Sequence, residues 1–510
     1  MEELLAHLKQ RATDDWLIGY DSYQFNCLTE EFFQQLTQFS TGRIPPKILL
    51  AEPNPQRFLA AFLAAVAANC PVFLCNPNWV QQEWQQVFEL VQPDLIFGQV
   101  VTPPHPFPPS PPPPFSHSGL IMIPTGGTSG KIRFAIHTWE TLMASVRGFH
   151  QYFGEKSVNS FCVLPLYHVS GLMQFMRSFT TGGRLIVKSF KQVEADEDCE
   201  KNKGVRSQNS EDGSNPIAHS EFCSLNSSVE INPAEFFISL VPTQLQRCLQ
   251  HPKLTSWLSR FQTVLLGGAP AWESLLEQAR CNNIRLAPTY GMTETASQVV
   301  TLKPEDFLAG NNSCGQVLPH AKVTIHSSTG EILGANQTGI ITIQADSLGL
   351  GYYPIIRGGG GEVKNRPNPK SKIQNLKSDD LGFVDERGYL NVVGRSSRKI
   401  ITGGENVFPT EVEAAIQSTQ LVVDVCVTGV PDSHWGQAVT AVYVPHSETA
   451  STTLLQTALE EKLSKYKHPK YWLSVERLPR NAQGKVDYEK LQKIVMAWLE
   501  SQKSSLRQLG

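Results

Sequence analysis

The sequence lacks the features that mark membrane, secreted or nucleic-acid-binding proteins. It contains no run of about 18 apolar residues, so no transmembrane helix is predicted. Its first residues are acidic and helix-forming and do not resemble a signal peptide, which favours a cytoplasmic protein. The formal net charge of -3 gives no electrostatic reason to expect nucleic acid or an anionic membrane as a partner.

Cysteine pairing patterns are also absent. The ten cysteines are scattered from Cys27 to Cys426 and form no C-x-x-C pair, which favours reduced thiols over zinc ligands or a disulfide framework. What the chain does contain is 41% hydrophobic and 18% charged residues over 510 positions. Such a composition predicts a globular protein with roughly two or three domains.

A loop rich in Gly, Thr and Ser follows the short apolar stretch 119–123, which predicts a buried strand. In this loop, Thr125–Lys131, small residues leave backbone N–H and hydroxyl groups free to surround phosphate. The loop is not a Walker A loop, because Thr125 stands where that pattern requires Gly and Ile132 where it requires Ser or Thr. A P-loop kinase is therefore excluded, while an ordinary turn remains an alternative to a phosphate site.

Alternating helical and extended patterns predict the α/β class. Residues 57–68 predict a helix and residues 71–75 a strand after it. Three further predicted strands, 160–165, 261–266 and 283–288, each run into a polar or Gly-rich turn. In open α/β sheets ligands bind where such turns line one edge, so we expect a large, multi-layered domain with its site at that edge.

The C-terminal part predicts a separate small α+β domain. Helices are expected at 410–417 and 452–466, and strands at 422–427 and 438–444. We therefore divide the chain into a large domain, residues 1–396, and a small domain, residues 397–510.

Two segments break these patterns. Residues 191–232 are rich in Glu, Asp, Asn, Ser and Lys and predict a disordered surface insertion. Residues 102–115 are mostly proline and predict an extended connector.

Several short stretches occur in an order and spacing that resemble the core motifs of the adenylate-forming superfamily of acyl-CoA synthetases, peptide-synthetase adenylation domains and luciferases. The resemblance covers nearly the whole chain. It implies two steps, in which a carboxylate attacks the α-phosphorus of ATP and CoA then displaces AMP, with Mg²⁺ required. It also implies a small domain that rotates between the two steps. The stretches are Thr125–Lys131, Tyr290–Glu294, Ser378–Gly382, Gly394–Asn406 and Pro479–Lys485.

Within the superfamily, Pro165–Gly171 and Thr402–Pro409 look most like the 2-succinylbenzoate–CoA ligases of menaquinone and phylloquinone biosynthesis. Another acyl- or aryl-CoA ligase, acting on a fatty acid or on 4-coumarate, is the near alternative. A weakly catalytic adenylate-binding scaffold is the more distant one, because the Pro-rich stretch and the polar insertion could recruit partners.

The resemblance implies an ATP site made from five parts of the chain. Tyr290 would stack on adenine, unless it is an ordinary core tyrosine, and Asp380 would accept the ribose hydroxyls, with Asp379 as its local competitor. Arg395 would reach the ribose or a phosphate. Arg133 stands where the family usually has a second Lys. The adenine neighbours would be Gly268, Ala269 and Pro270. The phosphate-binding residues would be Thr125, Gly126, Gly127, Thr128, Ser129, Gly130 and Lys131.

Four residues are expected by the same resemblance to act on the reacting groups. Lys485 would contact the α-phosphate and the acyl oxygen in the first step. Thr293 would contact phosphate, and Glu294 would hold Mg²⁺, which prefers carboxylate and phosphate oxygens. His168 would shape the acyl pocket and the route to CoA, or else be a hydrogen-bonded structural histidine.

The remaining expectations concern the substrate and the domain motion. Arg177, with Ser170 as a polar neighbour, matches a position that binds the second carboxylate of succinylbenzoate, although a surface helix cation would explain it too. Ser397 matches the hinge. Gly403 and Gly404 would line the approach of CoA after the rotation.

Overall fold

The computed structural model describes most of the chain. The expected phosphate loop lies outside the described residues from Gly127 onward, as do Gly403, Gly404 and the proline-rich connector. The described ranges are 2–40, 45–100, 119–126, 132–195, 231–353, 374–402, 405–432, 435–447, 451–460, 462–481 and 485–507.

The first sheet is built from short apolar segments, and its central parallel strands β1 and β2 are buried on both faces, as strands covered by helices must be. Its strand order is β15-β5-β4-β2-β1-β3. The edge strands β5 and β15 are antiparallel. The strands are β1 (Ile48–Ala51), β2 (Val72–Leu74), β3 (Leu95–Gly98), β4 (Ile121–Gly126), β5 (Ile132–His137) and β15 (Gly351–Tyr353).

The second sheet has the order β12-β11-β10-β9-β8-β6-β7 and is parallel from β7 to β10. Strands β10 and β11 then pair antiparallel. The carboxyl ends of β9 and β10 therefore lie side by side, which is the edge where the sequence places its polar turns. The strands are β6 (Asn159–Cys162), β7 (Leu185–Val187), β8 (Phe236–Leu240), β9 (Thr263–Leu266), β10 (Leu286–Met292), β11 (Ser297–Thr301) and β12 (Gln316–Val317).

Two smaller sheets follow. The antiparallel sheet β13-β14-β16-β17 ends at Arg395, and the sheet of the C-terminal part begins at Ile400 with the order β19-β18-β21-β20, β22 pairing with β21. The strands are β13 (Ala321–His326), β14 (Gly339–Ala345), β16 (Leu376–Val384), β17 (Leu390–Arg395), β18 (Ile400–Thr402), β19 (Glu405–Val407), β20 (Val422–Asp432), β21 (Gly436–Pro445) and β22 (Tyr471–Ser474).

Helices cover the sheets. Most begin at a residue that favours a helix start; for example, the Asn54 and Thr138 side chains accept the backbone N–H three residues on. The helices are α1 (Glu2–Gln10), α2 (Ser22–Phe39), α3 (Pro55–Ala67), α4 (Gln81–Val91), α5 (Trp139–Phe153), α6 (Val169–Thr180), α7 (Pro242–Gln250), α8 (Pro252–Leu258), α9 (Glu273–Cys281), α10 (Pro304–Leu308), α11 (Pro409–Gln417), α12 (Thr452–Leu459) and α13 (Tyr488–Arg507).

Helices α3, α5 and α6 form the layer between the first two sheets. Residues 58–67 of α3 are all buried, as an Ala/Leu/Phe helix without a polar face must be. The largest core cluster joins α3, α5 and α6 to the first sheet, while Phe149 of α5 packs on Phe237 of the second sheet. The α/β class and the large and small domains expected from the sequence are thus confirmed.

Some boundaries differ from the sequence-based expectation. Residues 190–195 are helical, and Val193 is buried in the core of the second sheet, where Ile231 also packs. The predicted insertion 191–232 was therefore wrong at both ends, because a polar segment can still contribute isolated apolar anchors. The helix expected at 452–466 ends at Leu459.

Strand β10 continues through Tyr290 to Met292, where a turn was expected after Pro288. Pairing with β11 extends it beyond the apolar run. Among the described residues, no helix combines the length and the apolar character that crossing a bilayer requires.

A buried arginine fixes the C-terminal end of α6. Arg11, 3% exposed, donates from Nη1 to the carbonyls of Ser178 (3.0 Å) and Phe179 (2.9 Å) and from Nη2 to that of Gly183 (2.8 Å). The last carbonyls of a helix lack partners within the helix, and a cation there is favoured by the helix dipole.

We expect Arg11→Met to lower the free energy of unfolding by about 2–4 kcal/mol, because it removes three hydrogen bonds from a buried guanidinium to these carbonyls. Asp14→Asn is the control: it weakens the ion pair to Arg11 Nε at 3.3 Å, but Asp14 is 55% exposed. Its cost should stay below about 1 kcal/mol. Urea unfolding measures both, and equal midpoints for the two variants would remove Arg11 from this role.

Candidate active site

A tyrosine, an aspartate and an arginine from three strands meet at the edge of the second sheet. The Tyr290 hydroxyl donates to Asp380 Oδ2 at 2.9 Å, and Arg395 Nε donates to Asp380 Oδ1 at 3.1 Å. Asp380 and Arg395 stand opposite each other on β16 and β17, which is why their side chains meet. A carboxylate has about four lone-pair positions, so Asp380 can still accept hydroxyl donors.

The Tyr290 ring is part of the core. It is 8% exposed and packs in a cluster with Val299, Val300 and Ile341. Burial, with Asp380 nearby, raises the pKa of Tyr290, so the phenol stays protonated and serves as a donor. The ring of Tyr290 thus packs as an ordinary core tyrosine would, while its hydroxyl orients Asp380.

Asp379 faces a different partner. Its Oδ1 accepts the backbone N–H of Ser397 at 3.0 Å, and the Ser397 hydroxyl donates to its Oδ2. Ser397 lies in the 3₁₀ turn Ser396–Arg398 between the two smallest sheets, and the Arg398 guanidinium lies 3.4 Å from the centre of the Tyr488 ring. The turn is thus fastened to the large domain by Asp379 and to the small domain by Arg398.

Glu294 lies in the 3₁₀ turn Thr293–Thr295 directly after β10. Tyr352 donates its hydroxyl to Glu294 Oε1, and the neighbouring Thr293 carbonyl accepts from His137 Nε2 at 2.8 Å. Burial lowers the pKa of His137 to about 4, so its ring is neutral. Sequence analysis missed Tyr352 and His137, because they reach this turn only through the pairing of β15 with β5.

No group of three or more His, Cys, Asp or Glu side chains suited to a metal ion occurs within the described ranges. Proteins usually hold Mg²⁺ through one or two carboxylates together with substrate phosphates. Glu294, with Oε2 beside the oxygen that Tyr352 contacts, has the donor chemistry for such an ion.

Lys485 and His168 approach this site from the small domain and from α6. His168 occupies the position before the first turn of α6, and its buried Nε2 has no hydrogen-bond partner in the described part of the chain. Burial and the charge of Lys485 lower the pKa of His168 to about 3, so it is neutral.

The pKa of Lys485 is itself lowered by desolvation and by Arg395, against the opposing effects of Glu294 and Asp380. The residue as a whole is exposed. Lys485 thus lies within electrostatic range of His168, Glu294, Asp380 and Arg395.

The turn expected beside adenine follows β9. Gly268 has a φ of +81°, and at Gly267 a Cβ would lie 2.4 Å from Thr289 Oγ1, so β9 and β10 approach closely only with glycine here. Ala269 and Pro270 are exposed beyond this turn. Thr125 and Gly126 end β4, with Thr125 paired opposite Arg133 of β5.

Arg177 is buried in the middle of the large domain. It is 2% exposed, so the surface alternative was wrong. Its Nη2 donates to Gln298 Oε1 at 2.8 Å and Ser297 Oγ at 3.3 Å, and its guanidinium lies 4.1 Å from the centre of the Phe149 ring. Its Nε has no hydrogen-bond partner, and no carboxylate of the described residues forms an ion pair with it.

Burial lowers the pKa of Arg177 to about 9, so it stays mostly cationic at neutral pH. Ser170 lies two turns earlier on α6, and its carbonyl accepts from Gln174 Nε2 at 3.0 Å. Ser170, Gln174 and Arg177, spaced four and three residues apart, therefore lie on one face of α6. Gln298 and Phe149 were not singled out in the sequence, because an amide and a core aromatic carry no signal there.

Comparisons with known proteins agree with this geometry. The family model for AMP-binding enzymes matches residues 236–353, and the model for the C-terminal domain of AMP-binding enzymes matches residues 411–485. The 2-succinylbenzoate–CoA ligase of Listeria monocytogenes is 32% identical over 74% of this chain and 70% of its own length. That of Oceanobacillus iheyensis is 31% identical over 72% and 68%.

A similar fold occurs in the O-succinylbenzoate CoA synthetase (MenE) of Bacillus subtilis in complex with the acyl-adenylate intermediate OSB-AMP. That structure has a TM-score of 0.72 and 23% identity, covering 96% of this chain and 97% of the other.

The neighbouring carboxylates Asp379 and Asp380 offer a matched pair of variants. We expect Asp380→Asn to raise the KM for ATP roughly tenfold or more, because an amide accepts the ribose hydroxyls and Arg395 less well. Asp379→Asn should leave the KM for ATP within about twofold, since Asp379 faces Ser397. Pyrophosphate release at varied ATP concentrations gives the KM for both variants. Equal changes in KM would show that Asp379 and Asp380, although they face different partners on β16, do not differ in their role in ATP binding.

Proposed function

The chain belongs to the family of AMP-binding enzymes that includes the 2-succinylbenzoate–CoA ligases, and we propose on that basis that it joins 2-succinylbenzoate to CoA through an acyl-AMP intermediate. This reaction would place it in menaquinone or phylloquinone biosynthesis. ATP and CoA are the co-substrates of this reaction, and Mg²⁺ is the metal ion that it requires.

The observation that carries the choice of substrate is the unpaired cation of Arg177. Burying a charge is costly unless a counter-charge or strong hydrogen bonds compensate it. Arg177 has Gln298, Ser297 and the Phe149 ring, all of them neutral. A substrate with a second carboxylate supplies the missing anion, for which the planar guanidinium fork is suited.

The distance along α6 supports the same choice. Arg177 lies nine positions after His168, which corresponds to about 13 Å along a helix axis. Lys485 approaches His168 at one end of this path, and Arg177 closes the other. A compact aromatic diacid matches a path with cations at both ends better than a long acyl chain or 4-coumarate does.

The residues around Asp380 would bind and orient ATP for the first step. Asp380 accepts the ribose hydroxyls, held in place by Tyr290 and Arg395, while Glu294 provides the carboxylate for Mg²⁺. Lys485 places its ammonium on the oxygens that become more negative as the carboxylate attacks the α-phosphorus and pyrophosphate leaves. His168 is neutral and cannot repel the ammonium.

The second step would follow a rotation of the small domain, residues 397–510, relative to residues 1–396. Ser397 is the proposed hinge, and Gly403 and Gly404 the residues that then line the approach of CoA. The contact between Asp379 and Ser397 supports this position, because it joins the two parts of the chain at an exposed turn that can change its backbone angles.

A cytoplasmic location is proposed from the thiols. Cysteines in the described ranges, such as Cys75 and Cys162, are free, as in a reducing compartment. A non-catalytic scaffold is disfavoured, because Lys485, Glu294 and Asp380 meet in one place, which scaffolding alone does not require.

A substrate panel tests the proposed function directly. The enzyme is supplied with ATP, Mg²⁺ and CoA and with 2-succinylbenzoate, fatty acids, 4-coumarate and two analogues of 2-succinylbenzoate that each lack one carboxylate. Pyrophosphate release and thioester mass are scored. The expected result is the highest kcat/KM with 2-succinylbenzoate; a preference for fatty acids or 4-coumarate would overturn the substrate assignment.

We expect Lys485→Ala to lower the rate of adenylation on the order of a hundred- to a thousand-fold, while ATP binding changes only a few-fold. The reason is that the ammonium acts on charge that develops in the transition state. Lys490→Ala is the control, since Lys490 is 69% exposed and pairs only with Asp487, three residues earlier. Parent-like pyrophosphate release in the Lys485 variant would remove it from the mechanism.

Arg177→Met, which keeps much of the volume and removes the charge, should raise the KM for 2-succinylbenzoate roughly ten- to a hundred-fold. The reason is the loss of a charge-assisted contact of about 1.5–3 kcal/mol. The analogue without the second carboxylate should be nearly unaffected. Because the cation is uncompensated in the free enzyme, the melting temperature should not fall.

Arg184→Met is the control for this variant, as Arg184 is partly exposed and pairs with Glu235 at 2.9 Å. Equal losses for both substrates in the Arg177 variant would mean that Arg177 supports the pocket without reading the second carboxylate.

A further inference from the structure

On α5, α6 and β11, which carry Arg177 and its contacts, several buried side-chain atoms have no hydrogen-bond partner among the described residues. Such atoms are unusual, because buried polar groups are nearly always hydrogen-bonded. The group is therefore arranged for something that the chain itself does not supply. The unpartnered atoms are Ser145 Oγ, Gln174 Oε1, Arg177 Nε, Ser178 Oγ and Gln298 Nε2.

His320 lies against the same helices and is not accounted for by the function proposed above. It precedes β13, and both of its ring nitrogens are buried without a partner among the described residues. A neutral imidazole has one N–H donor and one acceptor, so both a donor and an acceptor are left unused. Two ring nitrogens without partners indicate that a hydrogen-bonding group is missing beside the ring. A histidine that only fills space in the core would not explain them.

Glycine at position 148 makes room for this ring. A Cβ there would lie 1.8 Å from His320 Nδ1, so no other residue fits unless the ring moves. The next residue, Phe149, carries the guanidinium of Arg177 on its ring face. Consecutive residues of α5 thus hold His320 and Arg177.

His320 is buried among charges of both signs. Burial lowers its pKa to about 4, an effect that Asp346 opposes and to which Arg177 and Arg147 contribute. Arg177 is therefore close enough to act on the ring electrostatically. An anion placed between the two would compensate the guanidinium and accept the unused imidazole N–H.

We propose that His320 is a specificity-determining residue that donates a ring N–H to the same substrate carboxylate that Arg177 pairs. This inference rests on the proposed function, since it assumes a substrate with a second carboxylate. It adds a contact from a part of the chain, the segment before β13, that lies outside the residues singled out in the sequence.

The test measures KM for 2-succinylbenzoate and for the analogue that lacks the second carboxylate. His320→Leu should raise the KM for the diacid about three- to tenfold, the effect of one lost hydrogen bond, and leave the analogue unchanged. His320→Asn, which offers an amide N–H, should restore part of the loss. His326→Leu is the control, because His326 already has partners in Thr324 and the Gly330 carbonyl.

Gly148→Ala supplies an independent variant that keeps the histidine. The added methyl group forces the imidazole away, while alanine itself favours the helix. It should reproduce the selective rise in KM even if His320→Leu does not fold.

Three outcomes are decisive. A selective rise in the Leu and Ala variants with partial rescue by Asn supports the proposal. The His320 and Gly148 variants could instead change the KM for both substrates equally, or for neither, while Arg177→Met still raises the KM for the diacid selectively. That result would overturn the role of His320 alone. A parent enzyme that does not distinguish the two substrates overturns this inference together with the proposed function.

Discussion

A guanidinium held inside the large domain without a carboxylate beside it is the constraint on which the substrate end of the site depends. Arg177 is stabilised by an aromatic face and by neutral oxygens, which offset only part of the cost of burial. In the free enzyme, part of the free-energy cost of burying this cation therefore remains, and a bound anion would remove it. Arg11 holds the end of the same helix by its carbonyls, so one buried arginine secures the helix that carries the other.

Much of the fold could be predicted from the sequence, because its signals are local. The apolar stretches at 71–75 and 261–266 contain strands, and the Ala-rich segment 57–68 contains a helix buried on all sides. The extension of β10 to Met292 could not be predicted, since it depends on pairing with β11, a non-local contact. Val193 likewise belongs to the core although its neighbours in sequence are polar.

The candidate site was predictable to the extent that the family resemblance named its residues. Tyr290, Asp380 and Arg395 contact one another, and Lys485 lies within electrostatic range of Asp380, Arg395 and Glu294; their roles stay predictions. The residues that contact these side chains from other parts of the chain were not predictable.

Tyr352 reaches Glu294 across a sheet, and Gln298 reaches Arg177 from another strand, so neither has a spacing that the sequence displays. The burial of Arg177 was equally hidden, because its own helix does not determine what covers it.

The turn Ser396–Arg398 has a consequence for the timing of the reaction. Its contact with Asp379 is exposed to water, where such hydrogen bonds and ion pairs contribute little. The stack of Arg398 on Tyr488 stays within the C-terminal part. Leaving the present orientation would break this solvated contact and also the hydrogen bonds from Thr410 Oγ1 to the Val393 carbonyl (2.8 Å) and from Gln246 Nε2 to the Val423 carbonyl (3.3 Å), while the stack is preserved. In the proposed rotation, a ligand that contacts one orientation more than the other shifts the balance between them.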